Sequence, residues 1–255
     1  MIRFFKFLAI AQTLILLSFG SAIAEEVWDP LEPMNRKIFW FNDQVDTYLL
    51  GPVSEGYDYV MPTPVKTGVS NFFSNIKFPI YFVSDVLQLK FIQAASHTGR
   101  FLINTTIGVG GFIDIAKNMG LEHHYEDIGV ALDYYGIPAG PYLVLPILGP
   151  SNFRNAIGTV ADTALNPTFY PYYFDNATDA QKYFFSTGAN TLDAIQFRAS
   201  IIDAIQAAKD TSLDYYLFVQ SAYYQRRHAL LTDGAVSDEV TEYDYGDDEL
   251  EDSEN

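Results

Sequence analysis

Between Tyr134 and Pro150 the chain reads YYGIPAGPYLVLPILGP. This run is apolar enough for a core and far too rich in proline and glycine for a regular helix. Proline removes a backbone donor and glycine loosens the backbone. The segment therefore predicts an irregular hydrophobic loop of fixed shape. Such a loop serves either as a buried turn between two helices or as a wall lining a cavity in a membrane protein. Within it, Tyr142–Leu145 is the best strand candidate in a chain whose strand signals are otherwise weak.

The N-terminus reads as a secretory signal. Arg3 and Lys6 are followed by an apolar run from Phe7 to Leu17 and then by small residues ending in Ala22-Ile23-Ala24. Cleavage is expected after Ala24, giving a signal peptide over residues 1–24 and a main domain over residues 25–232. Past that signal, no stretch reaches the ~20 apolar residues of a spanning helix without charges. The sequence contains no cysteine, so no thiol is available for a disulfide, a metal or an N-terminal lipid. The net charge of −17 is concentrated in residues 233–255, an acidic run without Lys or Arg that reads as a disordered tail. No basic stripe exists for nucleic acid and no polybasic patch for anionic lipid. Aromatic residues make up 16% of the chain, with 18 Tyr and 20 Phe against 2 Trp. Phenols suit membrane interfaces, ligand tunnels and wet interfaces alike.

Helical periodicity dominates the rest. A first helix starts after Asp29-Pro30-Leu31-Glu32-Pro33, carries Ile38, Phe39, Phe41 and Val45, and is expected to end at Gly51-Pro52. A short helix over Glu55–Val60 stops at Met61-Pro62-Thr63-Pro64. Two or three helices fill Val65–Ile107. Gly108-Val109-Gly110-Gly111 then breaks the pattern, and a backbone kink is the expected reading because no dinucleotide fingerprint follows. Asp127–Tyr135 is helical. Ser151 is expected to cap Asn152–Leu165, Thr178 a long helix, and Thr211 a last one, where Arg226-Arg227-His228 complement the dipole. His123-His124 lack the i, i+4 spacing of a helical metal site, so no metal or cofactor is expected. Asp162, Asp193 and Asp203 read as helix-surface acids. No G-x-x-x-x-G-K-[ST] or G-x-S-x-G string is present.

Several strings in fixed order carry a resemblance. They are Asp29-Pro30-Leu31-Glu32 with Asn35-Arg36, Gly68-Val69-Ser70-Asn71-Phe72, Arg100-Phe101-Leu102-Ile103-Asn104-Thr105, and Gly108 through Ala116. Tyr135-Gly136 through Gly140-Pro141-Tyr142 with Leu145-Pro146, and Tyr224-Gln225-Arg226-Arg227, complete the set. Over residues 28–231 the chain resembles the MlaA (VacJ) family of Gram-negative outer-membrane lipoproteins. The resemblance implies an all-α, ring-like arrangement of amphipathic helices in the inner leaflet of the outer membrane, facing the periplasm. A central amphipathic channel would let misplaced outer-leaflet phospholipid descend, preserving lipid asymmetry. It further implies a soluble periplasmic MlaC-type carrier and a trimeric porin as partners, and no enzymatic activity. The family's lipidated cysteine is missing, so embedding alone would hold the mature protein.

Two C16 tails crossing water expose about 30 methylenes, a barrier on the order of 25 kcal/mol at ~0.8 kcal/mol each. A conduit must keep tails in apolar surroundings and the headgroup wet, and without a nucleotide site the path is passive. Leu143, Val144, Leu145, Ile147 and Leu148 are candidates to face acyl chains. Arg154 either meets a lipid phosphate or forms a surface ion pair. Phe41 and Asn42 either border the channel, as the resemblance implies, or simply pack their helix. The rivals are a soluble periplasmic lipid-binding protein and a lipid hydrolase.

Overall fold

The computed structural model describes residues 28–173 and 177–232. The expected signal peptide and acidic tail lie outside the described residues. What is described is mostly helical, as expected. Helix α1 (Glu32–Val45) runs through a π-helical turn (Asp46–Leu50) into α2 (Gly51–Val60), followed by α3 (Thr63–Ile76), α4 (Phe78–Leu87), α5 (Phe91–Thr106), the short α6 (Ile115–Asn118) and α7 (Ile128–Tyr134). Strands β1 (Tyr142–Leu145) and β2 (Gly149–Asn152) come next, then α8 (Phe153–Leu165) and a 3-10 turn (Pro167–Tyr172). Helix α9 (Asp179–Lys182) passes through a second π-helical turn (Tyr183–Gly188) into α10 (Ala189–Ser200), and α11 (Ile202–Thr211) and α12 (Tyr215–Leu231) close the chain.

Residues 135–141 are irregular as expected, and the strand candidate Tyr142–Leu145 is a strand, but the remainder of the segment read as loop pairs back on it as an antiparallel hairpin, with Tyr142 opposite Asn152 and Leu145 opposite Gly149. Its prolines sit where they remove no essential ladder bond, at Pro146 in the turn and Pro150 opposite Val144. Gly51-Pro52 does not end the first helix. Pro52 lies in the first turn of α2, and the π-helical turn carries the chain across the junction. Asn152, not Ser151, caps α8: the last residue of β2 precedes the helix directly, and its carboxamide accepts from Asn155 N–H at 2.8 Å. Asp214, not Thr211, caps α12. Thr178 does cap α9, with Gln181 completing a capping box.

Packing neighbours form a closed circuit. Helix α10 lies against α3, α3 against α5, α5 against α4, α4 against α7, and α7 against α8. From α8 the path continues through the 3-10 turn and the second π-helical turn back to α10, while α2 braces α10 from one side. The α7–α8 crossing is tight because Gly129 meets Gly158, where an added Cβ would sit 2.6 Å from the Gly129 nitrogen.

The distribution of side chains is turned outward. Among the described residues, buried polar and charged residues outnumber buried apolar ones. Large apolar groups line the surface, including Trp40, Tyr48 and Leu49, Phe91 and Ile92, Phe153, Ile157 and Val160 on one face of α8, and Tyr183, Phe184 and Phe185. A surface with so much exposed apolar area marks contact with lipid or protein. No helix among the described residues is long and apolar enough to cross a membrane.

Candidate functional site

Helix α1 and the hairpin form one unit through two carboxamides. Asn35 and Asn42 are seven residues apart, two helical turns, and so share a face. The Asn35 amide donates to the Tyr142 carbonyl at 2.9 Å and its oxygen accepts from Val144 N–H at 2.9 Å. Asn42 repeats the pattern one step on, donating to the Leu145 carbonyl at 2.9 Å and accepting from Ile147 N–H at 2.7 Å. The spacing matches arithmetically. Seven helical residues rise about 10.5 Å, and three strand residues span about 10 Å. The helix thus satisfies the free edge of β1 in place of a third strand.

Asn35 is fully buried and also donates to the Asp29 carboxylate at 2.8 Å. Asp29 in turn accepts from Gln220 at 3.0 Å and from the Tyr216 hydroxyl of α12. Arg36 lies over the Tyr216 ring, 4.4 Å from its centroid, and pairs with Asp214 at 2.8 Å. Behind β1, Tyr142, Val144 and Tyr216 form a buried apolar cluster.

The Asn42 end is looser. Leu143 and Leu145 are half-buried, whereas Ile147 and Leu148 at the hairpin tip are 75% and 69% exposed. Ile147 also adopts a left-handed backbone (φ 67), costly for a β-branched residue, at about 1–3 kcal/mol. The Asn42 oxygen holds its N–H in that conformation. Phe41, next to Asn42, is 46% exposed. Of the expected channel residues, Phe41, Asn42, Leu145, Ile147 and Leu148 fall at this exposed end, and Leu143 on β1 just behind it.

Arg154 lies elsewhere. It is buried, paired with Asp133 and donating to the Ile137 carbonyl at 2.7 Å. The expected surface ion pair needs correction: the pair is internal, and one guanidinium nitrogen anchors the approach to the hairpin, while the buried Nε has no partner among the described residues. Asp162 is not a helix-surface acid either. It accepts from Ile128 N–H at 3.0 Å at the start of α7, and burial pushes its carboxyl up to about 7, with the nearby Asp127 charge adding. Asp193 pairs with Lys77 at 2.6 Å. Arg227, expected to complement the α12 dipole, instead clamps Asp127 at 2.5 Å and Asn155 at 3.1 Å.

Two other motif strings, Arg100–Thr105 and Gly108–Ala116, meet in a second, mostly buried network. Arg100 bonds the Leu121 carbonyl and pairs with Asp114 at 2.8 Å. Asn104 donates to Asp114 at 2.9 Å and accepts from Ala116 N–H at 2.9 Å. His97 sits between Asp85 at 2.6 Å and the His124 carbonyl at 3.0 Å. His123 contacts Ser74 at 2.7 Å; burial, with Arg100 nearby, lowers its pKa to about 4, so it is neutral near pH 7. Among the described residues, the Ser74–His123 contact lacks a carboxylate on the far ring nitrogen, which has no partner there. These residues organise the α3–α5 crossing and the glycine turn.

Asn35, quoted in the sequence only as part of a motif string, is the anchor of the hairpin whose role was not foreseen. The signal was its seven-residue spacing from Asn42, unreadable until the strand edge opposite was known.

Comparison with known proteins gives a consistent result. The family model described as MlaA lipoprotein matches residues 27–230. The Intermembrane phospholipid transport system lipoprotein MlaA of Escherichia coli (strain K12) is 35% identical over 214 residues, covering 82% of this chain and 80% of that protein. An uncharacterized protein of Rickettsia felis is 36% identical over 205 residues, covering 80% and 78%. A solved chain described under "Structural basis for maintenance of bacterial outer membrane lipid asymmetry" superposes with a TM-score of 0.68 at 32% identity, covering 80% of this chain and 98% of that one.

Proposed function

Because the chain belongs to the MlaA lipoprotein family, we propose that it is an outer-membrane component of intermembrane phospholipid transport and not an enzyme. In this reading it removes mislocalised phospholipid from the outer leaflet through a passive channel and passes it to a soluble periplasmic carrier of the MlaC type. A trimeric porin holds it in place. It sits in the inner leaflet facing the periplasm, exported by its signal peptide.

The observation that carries the reading is the outward-turned body. A closed circuit of short helices presents Ile157, Val160, Phe184 and their neighbours outward and keeps amides, carboxylates and guanidinia within. In a bilayer that exposed apolar surface ceases to be a liability, and embedding needs no spanning helix. The hairpin tip supplies the gate. Ile147 and Leu148 offer tails an apolar contact, while Asn42 fixes the tip angle through two backbone bonds. Deleting Phe41-Asn42 removes this hold and rotates the following helix by about 200°.

The test is outer-leaflet phospholipid in cells carrying Leu145→Asp or Ile147→Asp at normal protein level. Transport through this gate predicts phospholipid accumulating in the outer leaflet, and normal asymmetry would remove the hairpin from the mechanism. Fractionation decides against the soluble lipid-binding rival. Outer-membrane partition requiring detergent is expected, and release by osmotic shock would overturn the proposal.

A further inference from the structure

A recess of about 450 Å³ opens between α2, α3, α10 and α11, away from the hairpin. Its volume lies within the range of about 300–1,000 Å³ typical of small-molecule sites. Unlike the outer surface, its wall is polar. Tyr57 and Asp58 come from α2, Lys66, Thr67 and Ser70 from α3, Gln196 and Ser200 from α10, and Asp203 from α11.

Two groups in that wall are unspent. The Tyr57 hydroxyl oxygen is buried yet has no hydrogen-bond partner among the described residues, although it sits close enough to Lys66 to feel its charge. A donor shut away from water in this manner costs on the order of 1–3 kcal/mol until something accepts from it. Asp203, on the first turn of α11, has neither an ion-pair nor a hydrogen-bond partner among the described residues. Lys66 meanwhile pairs with Asp58 at 2.5 Å. The lining therefore holds one cation and two carboxylates. An anionic ligand would leave Asp203 uncompensated and add its own repulsion, whereas a ligand carrying both signs satisfies every group.

We infer that this recess binds the zwitterionic headgroup of an aminophospholipid, an inference that rests on the transport reading above. The phosphate lies against Lys66 Nζ and the Tyr57 hydroxyl. The ammonium lies against the Asp203 carboxylate, with the Gln196 and Ser200 oxygens as further acceptors. Next to the recess, at the α2–α3 corner, Tyr59, Val60, Met61 and Val65 are exposed and apolar. They give the acyl chains a surface to lie on while the headgroup stays in the polar wall.

The experiment uses the full protein in detergent, equilibrated with mixed micelles of phosphatidylethanolamine and phosphatidylglycerol in equal amounts, with the retained lipid quantified. Wild type is expected to enrich the ethanolamine lipid about two- to fivefold, the range a single partly exposed charge pair supplies. Asp203→Asn should erase the preference and Asp203→Lys should reverse it. Should the lysine variant fail to fold, the asparagine variant, at an exposed position, still decides. Tyr57→Phe should lower total retention. Equal retention of both lipids by wild type, or a preference unmoved in Asp203→Asn, overturns the inference. So does soluble glycerophosphoethanolamine binding at the site without displacing lipid, since the recess would then take a free zwitterion. Lipid retained without headgroup preference sinks this inference and leaves the transport reading standing, whereas no lipid retained at all counts against both.

Discussion

The hydrogen bonds around Asn35 and Asn42 and those around Arg100 and Asp114 use similar chemistry on different partners. The two asparagines grip the backbone of a neighbouring strand, and their hold weakens from a fully buried Asn35 to a half-exposed Asn42. Arg100 and Asp114 grip each other inside the helix circuit, with Asn104 and the Leu121 carbonyl completing the set. An internal ion pair is all-or-none, because losing one member strands the other. A graded pair of amides can release one end and keep the other. The contrast separates a frame of mutually dependent charges from a hairpin tip held by two backbone bonds to one half-exposed amide.

Breaking the frame should have the largest effect. Arg100→Ala leaves Asp114 half-buried and unpaired, and a loss of about 3–5 kcal/mol is expected, read as a fall in melting temperature and cellular abundance. Near-normal stability would show that the network is not a frame.

The frame also carries a cost that one substitution should relieve. Asp162 is raised from 3.8 to about 7, so between those values the folded chain binds a proton that the unfolded chain has released. Stability from this group is therefore present below about pH 4 and is lost as pH rises through 7. Asp162→Asn keeps an acceptor for Ile128 N–H without the charge. It should be more stable than wild type at pH 8, by roughly 2–4 kcal/mol, and equal near pH 4. Parallel melting curves across that range would refute the assignment.

At the hairpin, Asn35→Ala strands the Tyr142 carbonyl and Val144 N–H in the interior and should cost about 2–3 kcal/mol by chemical denaturation. Asn42→Ala frees groups that water can reach, so about 1 kcal/mol is expected, together with altered outer-leaflet phospholipid at unchanged protein level. If the two variants behave alike, the gradient that makes the tip separable from its root does not exist.

Much of this was legible beforehand. The glycine turn at Gly108–Gly111, the Thr178 cap and the helices on either side of Pro62 and Pro79 follow from local chemistry. Three of the misreadings share one cause, a partner outside the local segment. Pro146 and Gly149 look like loop residues until β1 pairs with β2. Arg154 looks like a surface cation until Asp133 is brought to it, and Asp162 like a surface acid until α7 begins at its carboxylate. Gly51-Pro52 looked like a stop because a π-helical turn has no sequence signature of its own. The site was half-readable in the same way, since residues 41–42 and 145–148 each stood out, whereas the bonds joining them did not.

The account depends on apolar faces turned to lipid and polar walls turned to water. Spin labels placed singly at Ile157, Val160, Phe184 and Ser200 of the full protein, reconstituted in phospholipid vesicles, measure this directly through collision with oxygen or with a water-soluble nickel chelate. The first three positions should favour oxygen and Ser200 should favour nickel. Nickel access at Ile157, Val160 and Phe184 equal to that at Ser200 would mean the body lies in water, contradicting the account.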